Sequence, residues 1–489
     1  MKKVIFLMID SLMPDVLESC ISKGLVPALK FFKEQGFYWD ECTTVFPTMT
    51  ASVDCSLITG EYPDKHKIPA LIWYHPQEQR LINYTNGALP VIKLGLGTCA
   101  HDVIQELNDV HLSKNVKSIY EELADREKTS GSINLIARRS TKRYPVKLPF
   151  LLRLATRFRD FEEISGPDVF TLGTVSRSSF QPKLPWNWDE SIWGHYGIND
   201  RFAVRFLNHL IKHSILPDFT MVYLPDNDHK VHIHPEKACE ILVKVDKQLQ
   251  KVLNEFAKWE DALHQFVFII TGDHGQTTIG KTSDHNIELE ELLNSFKIAK
   301  YGEKIEPDDQ IVLANNERMT YIYPLKEPIE ETIVEYLVVD QRIDLIAWKK
   351  DGGVHVRSGV KNGILRFAPN GDWKDIYGRE WDINGNLEIL DLVTTTDQLI
   401  QFGEYPDSLS RLYGALYSQD VPMVACTAKP SYEFKSSYAP THLGGGSHGS
   451  LHKRDSTIPL IIAGADLEPP PFQHPRLVDL KNYILQLLS

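Results

Sequence analysis

The chain has 489 residues, a net charge of −12 and 42% apolar residues. That length suits one large α/β domain with insertions, or two to three domains. The acidity argues against nucleic acid as a main partner, because backbone binding needs clustered Lys and Arg, and no stretch approaches the ~18 apolar residues of a membrane span.

At the start, "MKKVIFLMID" places two Lys before an apolar run from Val4 to Ile9. The run is too short for a signal-peptide core and ends at Asp10, so it reads as a buried first strand. "PDVLESCISKGLVPALKFFKEQG" carries helical apolar spacing to Gly36. "TASVDCSLIT" predicts a helix ending at Gly60, with Thr50 or Ser52 at its start. "IYEELADREKTSGSINLIA" reads helix, turn, strand. "DRFAVRFLNHLIKHS" predicts an amphipathic helix with Asp200 as N-cap, leading to the strand "FTMVYL". "PEKACEILVKVDKQLQKVLNEFAKW" predicts a helix opened by Pro235, leading to the strand "FVFIIT". "IPLIIAG" is a late strand and "PRLVDLKNYILQLL" a closing helix. This alternation predicts a mostly parallel central sheet flanked by helices.

Two segments interrupt the rhythm. Residues 138–190 are rich in Arg, Lys, Pro and aromatics, and "LPFLLRLATRFRDF" within them has amphipathic character. Residues 298–425 turn to shorter strand-like pieces with Asn-Gly and Asp-Gly turns ("WKKDGGVHV", "GVKNGILRF", "DINGNLEI"). The expected organisation is a core of 1–297 and 426–489 with an insertion near 138–190, and an inserted α+β cap of 298–425. The six Cys are scattered without CxxC spacing, which predicts reduced thiols and a cytoplasmic setting.

Three strands run into acidic residues: "VIFLMI" into Asp10, "FTMVYLP" into "DNDHKVH", and "FVFIITG" into Asp273 and His274. In a parallel sheet these ends share the ligand-binding edge. Asp228 and His232 stand four apart, and His448 sits in the Gly-rich "GGGSHGSLH". Asp and His together suit zinc, with manganese next. His229, His234 and His452 read as surface or supporting residues. At the helix after "FPTMT", a Thr hydroxyl beside a metal could attack phosphorus, because a helix N-terminus favours anions.

The order strand–Asp10, P-T-x-T, T-G, Y-P, D-x-x-x-H, G-D-H-G and a late H-G resembles the alkaline phosphatase superfamily, within it the type I phosphodiesterase/nucleotide pyrophosphatase family. The resemblance covers about 1–75, 215–290 and 425–465. It implies two divalent ions, one held by Asp10, Thr50, Asp273 and His274 and the other by Asp228, His232 and His448. It makes Thr50 the nucleophile of a two-step displacement on a small-molecule phosphate diester or pyrophosphate. Three positions depart from the family pattern: Val53 followed by Asp54 where an Asn is common, Val231 before the D-x-x-x-H histidine, and Lys67 in place of a Gly. An anionic Asp54 would repel phosphate, so it is expected to point elsewhere or to bind a cation. Lys67 or the Arg/Lys cluster 138–143 is a candidate phosphoryl donor. Trp73 and Tyr74 are candidates for stacking a base or lining a leaving-group pocket. The alternatives are a phosphomonoesterase or phosphonate hydrolase of the same superfamily and, from another class, a non-catalytic metal-stabilised binding protein.

Overall fold

The computed structural model describes residues 2–85, 87–147, 153, 156, 163–177, 188–326, 328–466 and 470–489. The amphipathic segment expected at 148–161 falls almost wholly outside them.

The main sheet has eight strands, ordered Gly36–Thr43, Thr457–Ala463, Phe266–Thr271, Lys3–Ile9, Phe219–Leu224, Ser130–Ile133, Val169–Leu172 and Ser176–Arg177. The run from Phe266–Thr271 to Val169–Leu172 is parallel. Thr457–Ala463 and Ser176–Arg177 pair antiparallel with their neighbours inside this run. The α/β architecture with a mostly parallel sheet is therefore the one expected.

The first strand shows why it lies at the centre. Val4 to Ile9 are fully buried, and alternate side chains enter different cores. Val4, Phe6 and Met8 pack with residues of helices Thr50–Thr59, Ile119–Asp125 and Leu480–Leu487. Ile5, Leu7 and Ile9 pack with residues of helices Pro14–Ser22, Pro27–Glu34, Asp200–Lys212 and Ala238–Leu253. A strand covered on both faces needs a continuous apolar run, and each such side chain contributes about 1.5–3 kcal/mol of burial.

Three local expectations change. The helix expected to run to Gly36 is two helices, Pro14–Ser22 and Pro27–Glu34, because Gly24 adopts φ 68 and Pro27 starts a new turn; Gly36 opens a strand. Asn199, not Asp200, caps the Asp200–Lys212 helix, its side chain accepting the Phe202 N–H at 2.9 Å. The reduced-thiol expectation holds for Cys42, Cys55, Cys99 and Cys426 and fails for Cys20 and Cys239. Those two, 219 residues apart in sequence, are joined by a disulfide between the Pro14–Ser22 and Ala238–Leu253 helices.

The second sheet has nine strands between Ile311 and Ala428, almost all antiparallel. Asp351 and Gly352 turn its Ile343–Lys350/Gly353–Arg357 hairpin with positive φ at both positions, as the Asp-Gly pair requires. This sheet is anchored to the first through Arg318, whose guanidinium is fully buried. It pairs with Asp455 and donates to Thr277 Oγ1 at 3.0 Å and the Ala428 carbonyl at 3.0 Å. Among the described residues no helix is long and apolar enough to cross a membrane.

Candidate active site

The central strands Phe219–Leu224, Lys3–Ile9 and Phe266–Thr271 are adjacent and parallel, so their C-terminal ends deliver Asp228, Asp10 and Asp273 to one edge. Asp10 and Asp273 are 4% and 0% exposed. Asp273 Oδ1 is fixed by two backbone amides, Ser11 N and His274 N, each at 2.9 Å. Among the described residues, its Oδ2 and the Oδ1 of Asp10 are buried without a hydrogen-bond partner. His274 Nε2 is buried in the same condition, 3.5 Å from a carboxylate oxygen of each. The other oxygen of Asp10 accepts the Tyr223 hydroxyl.

The histidine tautomers follow from their partners. His232 Nδ1 lies 2.7 Å from the Gly446 carbonyl, His448 Nδ1 2.6 Å from the Thr48 carbonyl, and His274 Nδ1 3.1 Å from the Gly275 carbonyl. A carbonyl only accepts, so in each ring Nδ1 carries a proton and Nε2 is the nitrogen that can give up its own proton to present a lone pair. This is the arrangement that orients imidazoles toward a metal. Asp10, Asp273 and His274 bring their donor atoms within 4.8 Å of one another, as do Asp228, His274 and His448. His232 Nε2 lies 3.4 Å from Asp228 Oδ2. All six charged or imidazole residues expected from the sequence thus converge.

Electrostatics point the same way. Burial, then the charges of Asp273 and Asp228, raise the Asp10 carboxyl well above its usual range. Burial and then His274 lower the His448 imidazole to about 4. For Asp228 burial opposes ionisation, but His232 outweighs it and holds the carboxyl below its usual range. Crowded buried carboxylates, with unpartnered oxygens of Asp10 and Asp273 facing the unpartnered His274 Nε2, form a donor set that could hold a divalent cation.

Thr50 is the first residue of the Thr50–Thr59 helix, not its cap; that position belongs to Met49. Ser52 turns its hydroxyl back to the Pro47 and Met49 carbonyls. Thr48, two residues before Thr50, binds His448 through its carbonyl and the Gly449 amide through Oγ1 at 2.8 Å. The start of this helix is therefore tied to the His448 loop.

Asp54 is 1% exposed. Burial, then Asp273, raises its carboxyl well above the usual range. Burial thus disfavours the charged form, which weakens the repulsion expected of an anion.

The substrate-contact candidates lie elsewhere. Lys67 donates to the Tyr417 carbonyl at 3.1 Å, at the end of the Ser408–Leu416 helix. Trp73 is 2% exposed and packs edge-on against His111, while the buried Tyr74 packs on Tyr323. Both aromatic rings are enclosed in packed cores. Arg138 and Arg139 are buried too: Arg138 donates to the Ile136 carbonyl at 2.8 Å, and Arg139 to the Leu112 and Ser113 carbonyls and to Glu121. His234 is exposed beside Glu236, and His452 accepts the Arg454 N–H. His229 instead lines an open cleft of about 510 Å³ with Trp193, His195, Arg201 and Lys230, on the helix that carries Asp228.

Sequence reasoning missed Glu317, His442 and Gln276. Gln276 Nε2 donates to the Asp228 carboxylate. Its place two residues after His274 was the one available signal. Glu317 lies between strands Ile311–Asn316 and Met319–Pro324 of the second sheet and forms a third donor group with His232 and His442.

Residues 4–451 match the sequence profile of the type I phosphodiesterase / nucleotide pyrophosphatase family. No curated protein sequence matches the chain. Solved structures of similar fold include murine ectonucleotide pyrophosphatase / phosphodiesterase 5, with TM-score 0.58, 14% identity, and 100% of this chain and 95% of that chain covered. An inactive Thr-to-Ala form of the murine protein in complex with AMP matches equally well. Phosphonoacetate hydrolase from Sinorhizobium meliloti 1021, in complex with phosphonoacetate, has TM-score 0.58 and 15% identity, with 100% and 96% covered.

Proposed function

This chain belongs to the type I phosphodiesterase/nucleotide pyrophosphatase family and is a hydrolase of phosphoric ester bonds, and we propose that it cleaves diester or pyrophosphate bonds through a covalent phosphothreonine at Thr50. The observation that carries the proposal is the set of three imidazoles whose Nδ1–H groups are locked on carbonyls while their Nε2 atoms face Asp10, Asp228 and Asp273.

Asp10, Thr50, Asp273 and His274 would hold one divalent ion, and Asp228, His232 and His448 the other. Zinc suits these donors best and manganese comes second. Such ions supply positive charge that acidifies the threonine hydroxyl and neutralises the phosphoryl oxygens.

The chain's own part is positioning. The N-terminus of the Thr50–Thr59 helix sets Thr50 where free amides favour an anion. Thr50 Oγ bonds to phosphorus as the bond to the leaving oxygen breaks, and that oxygen departs with a proton. Water then bonds to phosphorus, the Oγ–P bond breaks, and Thr50 is restored. Tyr223 and Gln276 hold Asp10 and Asp228 in place throughout. A phosphonate hydrolase is the second reading, favoured by the fold shared with phosphonoacetate hydrolase; a phosphomonoesterase uses the same residues.

The test is a parallel assay of purified protein with zinc or manganese on bis-p-nitrophenyl phosphate and p-nitrophenyl phosphate, with Thr50→Ala as control. Diester turnover well above monoester turnover, lost in the variant, is the expected result. Monoester preference moves the protein to the phosphatase branch, and activity retained in Thr50→Ala removes the nucleophile.

A further inference from the structure

Glu317 occupies a tight turn between strands Ile311–Asn316 and Met319–Pro324, where its backbone adopts φ 62. A left-handed conformation is costly for a glutamate and persists where the surroundings impose it. The result is a carboxylate only 6% exposed, far from the face where a hairpin-turn Glu would normally meet water. Its Oε2 accepts the Ser447 hydroxyl at 3.0 Å and the His448 amide at 3.3 Å, and lies 3.8 Å from His448 Nε2.

His442 approaches from the loop before the Gly-rich stretch. Its Nδ1 lies 3.0 Å from a carboxylate oxygen of Glu433, which is itself fully buried, and the other oxygen of that group accepts the His442 amide. The carboxylate fixes the Nδ1–H tautomer and leaves the Nε2 lone pair free. A carboxylate behind an imidazole is the usual support of a metal-ligating histidine. The His442 and His232 rings stand 4.8 Å apart, and donor atoms of His232, Glu317 and His442 all lie within 4.8 Å of one another. His232 is locked in the same sense by Gly446.

We propose that Glu317 and His442 are ligands of the ion held by His232, so that the inserted sheet supplies part of the second metal site. The inference rests on the two-ion reading above and adds two ligands to it. With Asp228, His232 and His448 they make three imidazoles and two carboxylates, donor types that suit a zinc-class ion. It also gives the Glu317 turn a purpose, since packing alone does not call for a buried carboxylate there. The ion then bridges the two sheets, and its binding depends on their docking.

The experiment uses full-length protein stripped with a chelator and titrated with zinc or cobalt alone, without substrate. Metal content per chain, affinity by chelator competition and the visible absorption of the cobalt form are read for wild type, Glu317→Gln and His442→Ala. Wild type should bind two ions. Each variant should bind one of them at least about 100-fold more weakly, with a changed cobalt spectrum. Thermal melts of the stripped proteins check that the variants fold. Two ions in wild type with affinity and spectrum unchanged in both variants overturns this inference and leaves the two-ion reading standing. Absence of ion binding by wild type overturns both.

Discussion

The two halves of the centre are built differently. Asp10, Asp273 and His274 all come from the ends of adjacent strands in one sheet, and each is at most 4% exposed. Asp228 and His232 come from a short helix and are part-exposed, His448 comes from a late loop, and Glu317 belongs to the other sheet. The first half is fixed when the core forms, because strand register sets its geometry. The second requires two sheets to dock. A site placed on rigid strands needs little outside help, whereas one assembled from loops depends on the contacts that hold the loops.

The largest effect expected from breaking this centre is that of Thr50→Ala, at least about 10⁴-fold in kcat, because the attacking atom is gone. Steady-state kinetics on the diester measure it, and the ion held with Asp10, short of one ligand, should bind more weakly than the ion held with His232. Asp273→Asn attacks the rigid half. It should lower turnover on the order of 10³-fold through loss of an ion, yet raise the melting temperature of the stripped protein by relieving the crowding with Asp10. A fall in that melting temperature would refute the crowding argument.

Arg318→Ala attacks the docking of the sheets. Removing one partner of the buried Arg318–Asp455 pair leaves an uncompensated charge, a loss of about 3–5 kcal/mol in urea unfolding. In the folded fraction the ion held by His232 should weaken while that held by Asp10 does not.

Asp54→Asn tests the neutral acid behind Thr50. Folded Asp54 keeps a proton that the unfolded chain releases above about pH 4, so this residue lowers stability as pH rises from there. The Asn variant of the stripped protein should therefore show a flatter fall in stability as pH rises above about 4. The smallest effect belongs to Lys67→Ala, within about twofold in kcat/KM, since its ammonium serves the Tyr417 carbonyl. A tenfold rise in KM would return it to the substrate.

Some of this was legible in the sequence because the code was local. Continuous apolar runs such as Val4–Ile9 mark strands buried on both faces, and an acidic residue after each of three such runs marks one edge of a parallel sheet. Asp10, Asp228, Asp273 and His274 were therefore readable before any coordinates. The Asp351-Gly352 pair likewise announced the Ile343–Lys350/Gly353–Arg357 hairpin, whereas the Asn384-Gly385 pair lies inside the strand Glu380–Gly385. What only the tertiary structure decided has no local signature. Glu317 lies 85 positions from His232 in sequence and meets it through sheet docking; the Cys20–Cys239 bond joins helices 219 residues apart. Trp73, Tyr74, Lys67 and Arg139 are residue types that suit a binding site or a core equally well. Which of the two they serve depends on the side chains packed against them, and that is a property of the whole fold.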